Sequence, residues 1–167
     1  VGYLGGVNHS AKTVKGAALL VDQYTVYLAP HSSAGGGTVC PGATPGCIAS
    51  CLHYSGRASF DSKIPAARIA RTIFYHGARA HFSAVLFAEI ASAERRAAKN
   101  GARLIVRING TSDISPRAFK VDGVDVLSAF PHLSFFDYSK VWGRASQKWP
   151  ANYHLCFSWG DGRKWAA

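Results

Sequence analysis

The sequence predicts an α/β protein: a small, mainly parallel sheet with helices, carrying a Cys-rich loop. Three observations point there. Four short runs, "YTVYLAP" (24–30), "RLIVRI" (103–108), "LSFFDYS" (133–139) and "YHLCFS" (153–158), are rich in β-branched and aromatic residues or strongly apolar. A long stretch with helical spacing separates the first two, and strands separated by helices favour a parallel sheet with right-handed crossovers. The chain has 167 residues, enough for a single domain with one core. Its expected organisation is an extended arm over residues 1–20, a Cys-rich loop over 31–60 and an α/β core over 61–160.

Taken in order, residues 1–20 are rich in Gly, Ser and Lys with weak periodicity, which reads as an extended arm. The first strand ends at Pro30, and "HSSAGGG" forms a flexible lead-in to the cysteines. In the helical stretch that begins at Phe60, Asp61 or Ser62 is the expected N-cap and Pro65 fits the first turn. Ile69, Ile73 and Phe74 fall on one face, and Gly77 marks a bend or a change of helix. Beyond it Phe82, Val85, Leu86 and Ile90 repeat at helical spacing, while Glu94, Arg95, Arg96 and Lys99 face water. Asn100-Gly101 supplies a left-handed C-terminal cap. After the second strand comes the polar turn "NGTSDIS", and "VDVLSAFP" reads as a short helix.

The net charge of +10 favours anionic partners such as nucleic acid, nucleotides or an acidic protein, although a basic soluble surface accounts for it equally well. No apolar run approaches the ~20 residues needed to cross a bilayer, so no membrane partner is expected. The first residues lack a basic segment followed by an apolar one, so no signal peptide is read there. There is no G-x-S-x-G elbow, no H-E-x-x-H helix and no P-loop, which argues against those hydrolase, zinc-protease and nucleotide-binding chemistries.

The chemistry concentrates in "CPGATPGCIASC", where Cys40, Cys47 and Cys51 are spaced C-x6-C-x3-C. Pro-Gly steps impose tight turns, and one helical turn after Cys47 would put Cys47 and Cys51 on a shared face. Without an export signal, clustered cysteines hold metal more often than they form disulfides. Three thiolates suit an iron–sulfur cluster. A closed zinc site is the chief rival and needs a fourth ligand, for which His31, His53 and Cys156 are available. Cys156 also reads as a small apolar residue buried in its strand.

Ligands of parallel α/β sheets sit at the carboxyl ends of the strands. Here Asn109, Thr111, Ser112 and Asp113 follow one strand, Asp137, Tyr138 and Lys140 close another, and Ser158 closes the last, which predicts a shared ligand face. Arg57, Arg68 and Arg71 follow the cysteines and are candidates to offset cluster charge or to bind an anion. Trp142, Trp149, Trp159 and Trp165 interleave with Lys140, Arg144, Lys148, Arg163 and Lys164, a pattern that suits single-stranded nucleic acid.

The segments "YLAP", "CPGATPGCIASCLHYSGR", "ARIARTIF", "RINGTSDIS", "FFDYSK" and "NYHLCFSWG", in this order over roughly residues 8–160, make the chain resemble the phage gene product 88 family. That resemblance implies a viral or prophage origin and synthesis in a bacterial cytoplasm, without a defined activity. The three-cysteine loop and the N-x-x-S-D strand end are also similar to radical S-adenosylmethionine (SAM) proteins. The cysteine spacing differs from theirs, no Gly-Gly-Glu-like motif follows, and the chain is too short for a full barrel. The most this likeness implies is a partial or degenerate TIM-like barrel. The expectation is therefore a [4Fe-4S] protein with Cys40, Cys47 and Cys51 as ligands and Cys156 as a candidate fourth. Its chemistry would be redox or radical-SAM-like, on a small anionic ligand. The alternatives are a zinc-stabilised, basic nucleic-acid-binding module without catalysis, and an accessory protein with a structural cluster that binds a host partner. No catalytic residue or oligomeric state is assigned.

Overall fold

A computed structural model describes residues 4–8 and 11–159. In chain order the elements are β1 (Gly5–Val7), α1 (Ala11–Ala17), β2 (Val21–Val26), α2 (Pro45–Ala49), α3 (Lys63–Gly77), α4 (Arg79–Lys99), β3 (Arg103–Arg107), β4 (Lys120–Val121), β5 (Val124–Asp125), α5 (Val126–Ala129), β6 (Ser134–Ser139), α6 (Trp142–Ala145) and β7 (Tyr153–Phe157). Five strands form one sheet in the order β1-β2-β3-β6-β7, and β4 pairs with β5 in a separate small ribbon. Strands β2, β3, β6 and β7 run parallel, and β1 lies antiparallel on the edge beside β2. The fold is thus mixed α/β with a mainly parallel sheet, as the alternating pattern predicts.

The parallel strands follow one another in chain order, as consecutive strands of a barrel do. The sheet nevertheless stays open among the described residues, with β1 and β7 as its edges. A row of side chains crosses it in register, Tyr24 beside Val106, Val106 beside Phe135 and Phe135 beside Tyr153. This row is buried together with Phe82, Leu86, Ile90, Ala93 and Ala97 of α4 in a single core. Burying each large side chain contributes about 1.5–3 kcal/mol, so this face holds the fold together. The opposite face is different. Arg107 and Phe136 are half-buried there, and Tyr138, His154 and Cys156 are exposed.

Several expectations are refined. The first residues do not form a simple arm: β1 pairs with β2, and α1 follows it. Edge strand β1 is pinned by Glu89, whose carboxylate accepts hydrogen bonds from the Leu4 and Gly5 amides and the Tyr24 hydroxyl. A three-residue strand rich in Gly carries too little pattern to be read locally. On α3 the buried residues are Thr72 and Tyr75, while Ile73 is 56% exposed, so the predicted inner stripe is turned. Thr72 is drawn inward because its Oγ1 accepts the Ala29 amide at the end of the extended segment after β2. The break at Gly77, the short helix within "VDVLSAFP" and the left-handed Gly101 are as expected. Asp61 accepts the Lys63 amide at 3.1 Å, whereas Ser62 makes no side-chain cap bond.

Candidate functional site

The Cys-rich loop leaves the sheet after β2 and folds back over the carboxyl ends of the strands. His31 and Gly35 to Gly37 take positive φ, which turns the chain, and Val39 donates to the His31 carbonyl to close that turn. Asp113 then donates its amide to the Val39 carbonyl at 2.8 Å, tying the loop to the segment after β3. The two Pro-Gly steps act differently. Pro41-Gly42 makes a turn closed from Ala43 to Cys40, whereas Pro45-Gly46 opens α2, capped by Thr44 accepting the Cys47 amide at 3.2 Å. Gly42 is required at its place, since a Cβ there would lie 2.8 Å from the Lys140 backbone.

Loop and strand ends enclose a cavity of about 500 Å³. Cys40, Cys47 and Cys51 line it together with His31. Arg107, Asn109, Thr111, Ser112, Asp113, Tyr138, Lys140 and Ser158 line it from the strand ends, with the Cys40 sulfur 3.6 Å from the Thr111 carbonyl. Of the strand-end residues, Asn109, Thr111, Ser112, Asp113, Tyr138, Lys140 and Ser158 line the cavity that holds the three cysteines, whereas Asp137 and its neighbour Ser139 do not.

Asp137 stands behind the cavity wall. It is buried, and it accepts the Asn109 amide and Asn109 Nδ2, both at 2.9 Å, with the Tyr153 hydroxyl at 3.5 Å. Burial pushes its carboxyl up to about 6, against the pull of the Asn109 hydrogen bonds and of Arg107 and Arg144. Asn109 in turn accepts from Ser112 Oγ and the Ile114 amide, so the N-x-x-S-D strand end is a turn built around one Asn side chain. Asp113 is ion-paired with Arg144 and also accepts from Ser139 Oγ and the Lys140 amide. Arg144 donates further to the Asp113 carbonyl and towards Tyr153. Its place in a basic, Trp-rich tail suggested nucleic acid, but the guanidinium is buried inside this network.

The four cysteines are free thiols. Burial raises the Cys40 thiol to about 11. The His31 backbone opposes that rise, while Asp113, Cys51 and Cys47 add to it. Metal binding there would have to displace a tightly held proton. Among the described residues no group of three or more His, Cys, Asp or Glu side chains is already gathered as a metal-ligand set. The thiols therefore share a cavity without converging on one point. The residues between them include the small Gly42, Ala43, Gly46, Ala49 and Ser50.

Cys156 is exposed on β7, opposite Tyr138, and does not line the cavity. It is neither placed with the other thiols nor a buried apolar residue, because it lies on the uncovered sheet face. Arg68 stands near Cys51 and donates to the Leu52 carbonyl at 3.2 Å. Arg71 lies elsewhere, half-buried beside Glu89 and Tyr24, and Arg57 is exposed on the turn Gly56–Ser59. His53 is buried, and burial, then Arg68 and His31, lower its pKa. Among the described residues His31 Nε2 and His53 Nδ1 are buried without a hydrogen-bond partner. Trp142 and Trp159 are exposed, Trp149 packs on Tyr153, and Arg163, Lys164 and Trp165 lie outside the described residues.

Sequence reading missed Arg107, which reaches the cavity from the middle of the sheet and looked like an ordinary strand residue. A charged residue closing an apolar strand, as in "RLIVRI", was the available signal.

Fold and site together define an open-faced α/β protein, wound in one direction, with a cysteine-lined cavity at the carboxyl ends of its parallel strands. The chain belongs to the phage Gene product 88 family, whose sequence model matches residues 6–165. No curated protein and no solved structure matches it. No helix among the described residues is long and apolar enough to cross a membrane.

Proposed function

We propose that this protein holds a [4Fe-4S] cluster through Cys40, Cys47 and Cys51 and presents a small ligand to it from the strand-end wall. The observation that carries the reading is that all three thiols of the C-x6-C-x3-C loop line one cavity, while Cys156 stays outside it. A cluster bound by three thiolates supplies redox chemistry with one iron open to a small molecule, SAM being a candidate. The chain's own residues do the rest. Cys40 is backed by the His31 backbone, Arg68 offsets thiolate charge near Cys51, and the Asn109–Asp137 and Asp113–Arg144 pairs fix the facing wall.

Anaerobic purification and reconstitution with iron and sulfide test this. The expected product is brown, absorbs near ~400 nm and contains iron with sulfide. Replacing Cys40, Cys47 or Cys51 by Ser should abolish loading, and Cys156→Ser should leave it intact. One equivalent of zinc in a colourless protein would overturn the cluster. It would favour the second reading, a zinc-stabilised basic module for nucleic acid. The observation on that side is the exposed pair Trp142 and Trp159 in a chain of charge +10. Salt-dependent binding to single-stranded DNA would then be its signature.

A further inference from the structure

The cations of the cavity are not matched by its acids. Asp113 is the one carboxylate among the described residues lining it, and Arg144, Ser139 and the Lys140 amide already engage that group. Asp137, on the opposite face of β6, feels the Arg107 charge but takes its hydrogen bonds from Asn109 and Tyr153 and does not line the cavity. Arg107 lines the cavity with a guanidinium that has no hydrogen bond or ion pair among the described residues, and its Nε is buried without a partner. An unsatisfied buried donor costs about 1–3 kcal/mol, so an Arg left this way calls for a missing acceptor. The side chain is not loose: its guanidinium carbon lies 5.1 Å from the Tyr138 ring centroid and 6.0 Å from that of Phe136. Such cation–π contacts hold the guanidinium over the rings without using its N–H donors in conventional hydrogen bonds. Lys140 lines the cavity as a second cation, and among the described residues its Nζ donates only to the Trp159 carbonyl, at 3.1 Å.

We infer that Arg107 is the anchor of an oxyanion site, taking a carboxylate or phosphate of a small ligand between the sheet wall and the three thiols. A planar guanidinium pairs with either group through two parallel N–H···O bonds. The cavity volume of about 500 Å³ suits a metabolite-sized molecule and not a folded partner. The inference rests on the ligand side of the function proposed above, but its test needs no metal.

The test uses metal-free, full-length protein labelled with ¹⁵N, following the Arg107 Nε–H resonance during titration with acetate, with inorganic phosphate, and with chloride at matched ionic strength. Acetate or phosphate should shift the signal saturably, and chloride should not. A stronger response to acetate marks a carboxylate site, and a stronger response to phosphate marks a phosphate site. Arg107→Lys should weaken binding about tenfold, the equivalent of one bond of the fork at 1.4 kcal/mol. It can be followed through the Tyr138 amide, with the circular dichroism spectrum checking the fold. Binding by protein free of iron, sulfide and zinc separates this site from the cluster, and Cys156→Ser, outside the cavity, should bind the same anion. If no oxyanion moves the wild-type resonance, if chloride acts equally, or if folded Arg107→Lys binds as tightly as wild type, the inference is wrong.

Discussion

The two walls of the cavity are made by different means. On the sheet side, Asn109, Ser112, Asp113, Asp137, Ser139 and Arg144 are buried and joined by side-chain bonds that span up to 31 positions in sequence. On the thiol side, turns and a five-residue helix shape the chain through local bonds such as Cys40 to Thr38 and Cys47 to Thr44. The thiols there are half-buried, and Ile48 and Leu52 are exposed. One wall is held by buried long-range side-chain bonds, and the other mainly by local bonds, with the Val39 carbonyl and the Cys40 sulfur as its ties to the sheet side.

The comparison breaks most visibly at the Asp113–Arg144 pair. Removing one partner of a buried ion pair leaves an uncompensated charge and costs about 3–5 kcal/mol. Asp113→Ala should lose that much stability in urea denaturation. Asp113→Ala with Arg144→Met should recover a substantial part, since an apolar replacement carries no stranded charge. A loss under about 1 kcal/mol for Asp113→Ala would mean the sheet wall is no firmer than the loop.

Asp137 gives the next largest effect, and its sign is unusual for a carboxylate. Its pKa rises from 3.8 to about 6 on folding. The folded state therefore binds more protons than the unfolded state between those values. The stability it contributes is fully present below pH ~4 and is lost as pH rises through ~6, a change on the order of 3 kcal/mol at 1.36 kcal/mol per pKa unit. Comparing wild type with Asp137→Asn from pH 4 to 7 isolates this term. The difference in unfolding free energy should change across that window in the stated direction, and a flat difference would place the titration elsewhere.

Much of this was legible in the sequence for a physical reason: periodicity reports burial, and loops that follow strands gather at one end of a parallel sheet. That is enough to bring Cys40, Cys47 and Cys51 to the same place as Asn109, Ser112, Asp113 and Lys140. Pairing across the fold leaves no such trace. Arg144 sits in a basic, aromatic tail and gives no local sign that it neutralises Asp113. Glu89 lies on a helix where nothing marks it as the acceptor for β1. Asp137 follows an apolar strand, and whether it faces the ligand or the back of the wall depends on a one-residue alternation that the end of a strand leaves undecided. Arg107 suffered the reverse error, because the uncovered sheet face turns a strand residue into a cavity residue.

Where the two walls touch, Gly42 carries the contact. A Cβ at this position meets the carbonyl carbon, oxygen and Cβ of Lys140 at 2.8, 2.9 and 3.0 Å. Backbone cannot swing away as a side-chain tip can, so Gly42→Ala should cost about 1–3 kcal/mol, the range for overpacking. The loop should also move off the wall, which changes in the amide shifts of Cys40 and Lys140 would report. Unchanged stability would show that the loop slides freely there.

The smallest effects belong to the thiols themselves, and they test the comparison most sharply. In metal-free protein Cys47 and Cys51 are half-buried, and replacing the sulfur there by a smaller oxygen removes little packing. Cys47→Ser and Cys51→Ser should each stay within about 0.5 kcal/mol of wild type, as substitutions away from packed features do. Cys40→Ser should cost slightly more, because Cys40 packs against the core and its sulfur lies 3.6 Å from the Thr111 carbonyl. After reconstitution with iron and sulfide the three should become equivalent, each losing the stabilisation that a bound cluster adds to the folded state. A large cost for Cys47→Ser before any metal is added would show a thiol wall as firmly packed as the sheet wall.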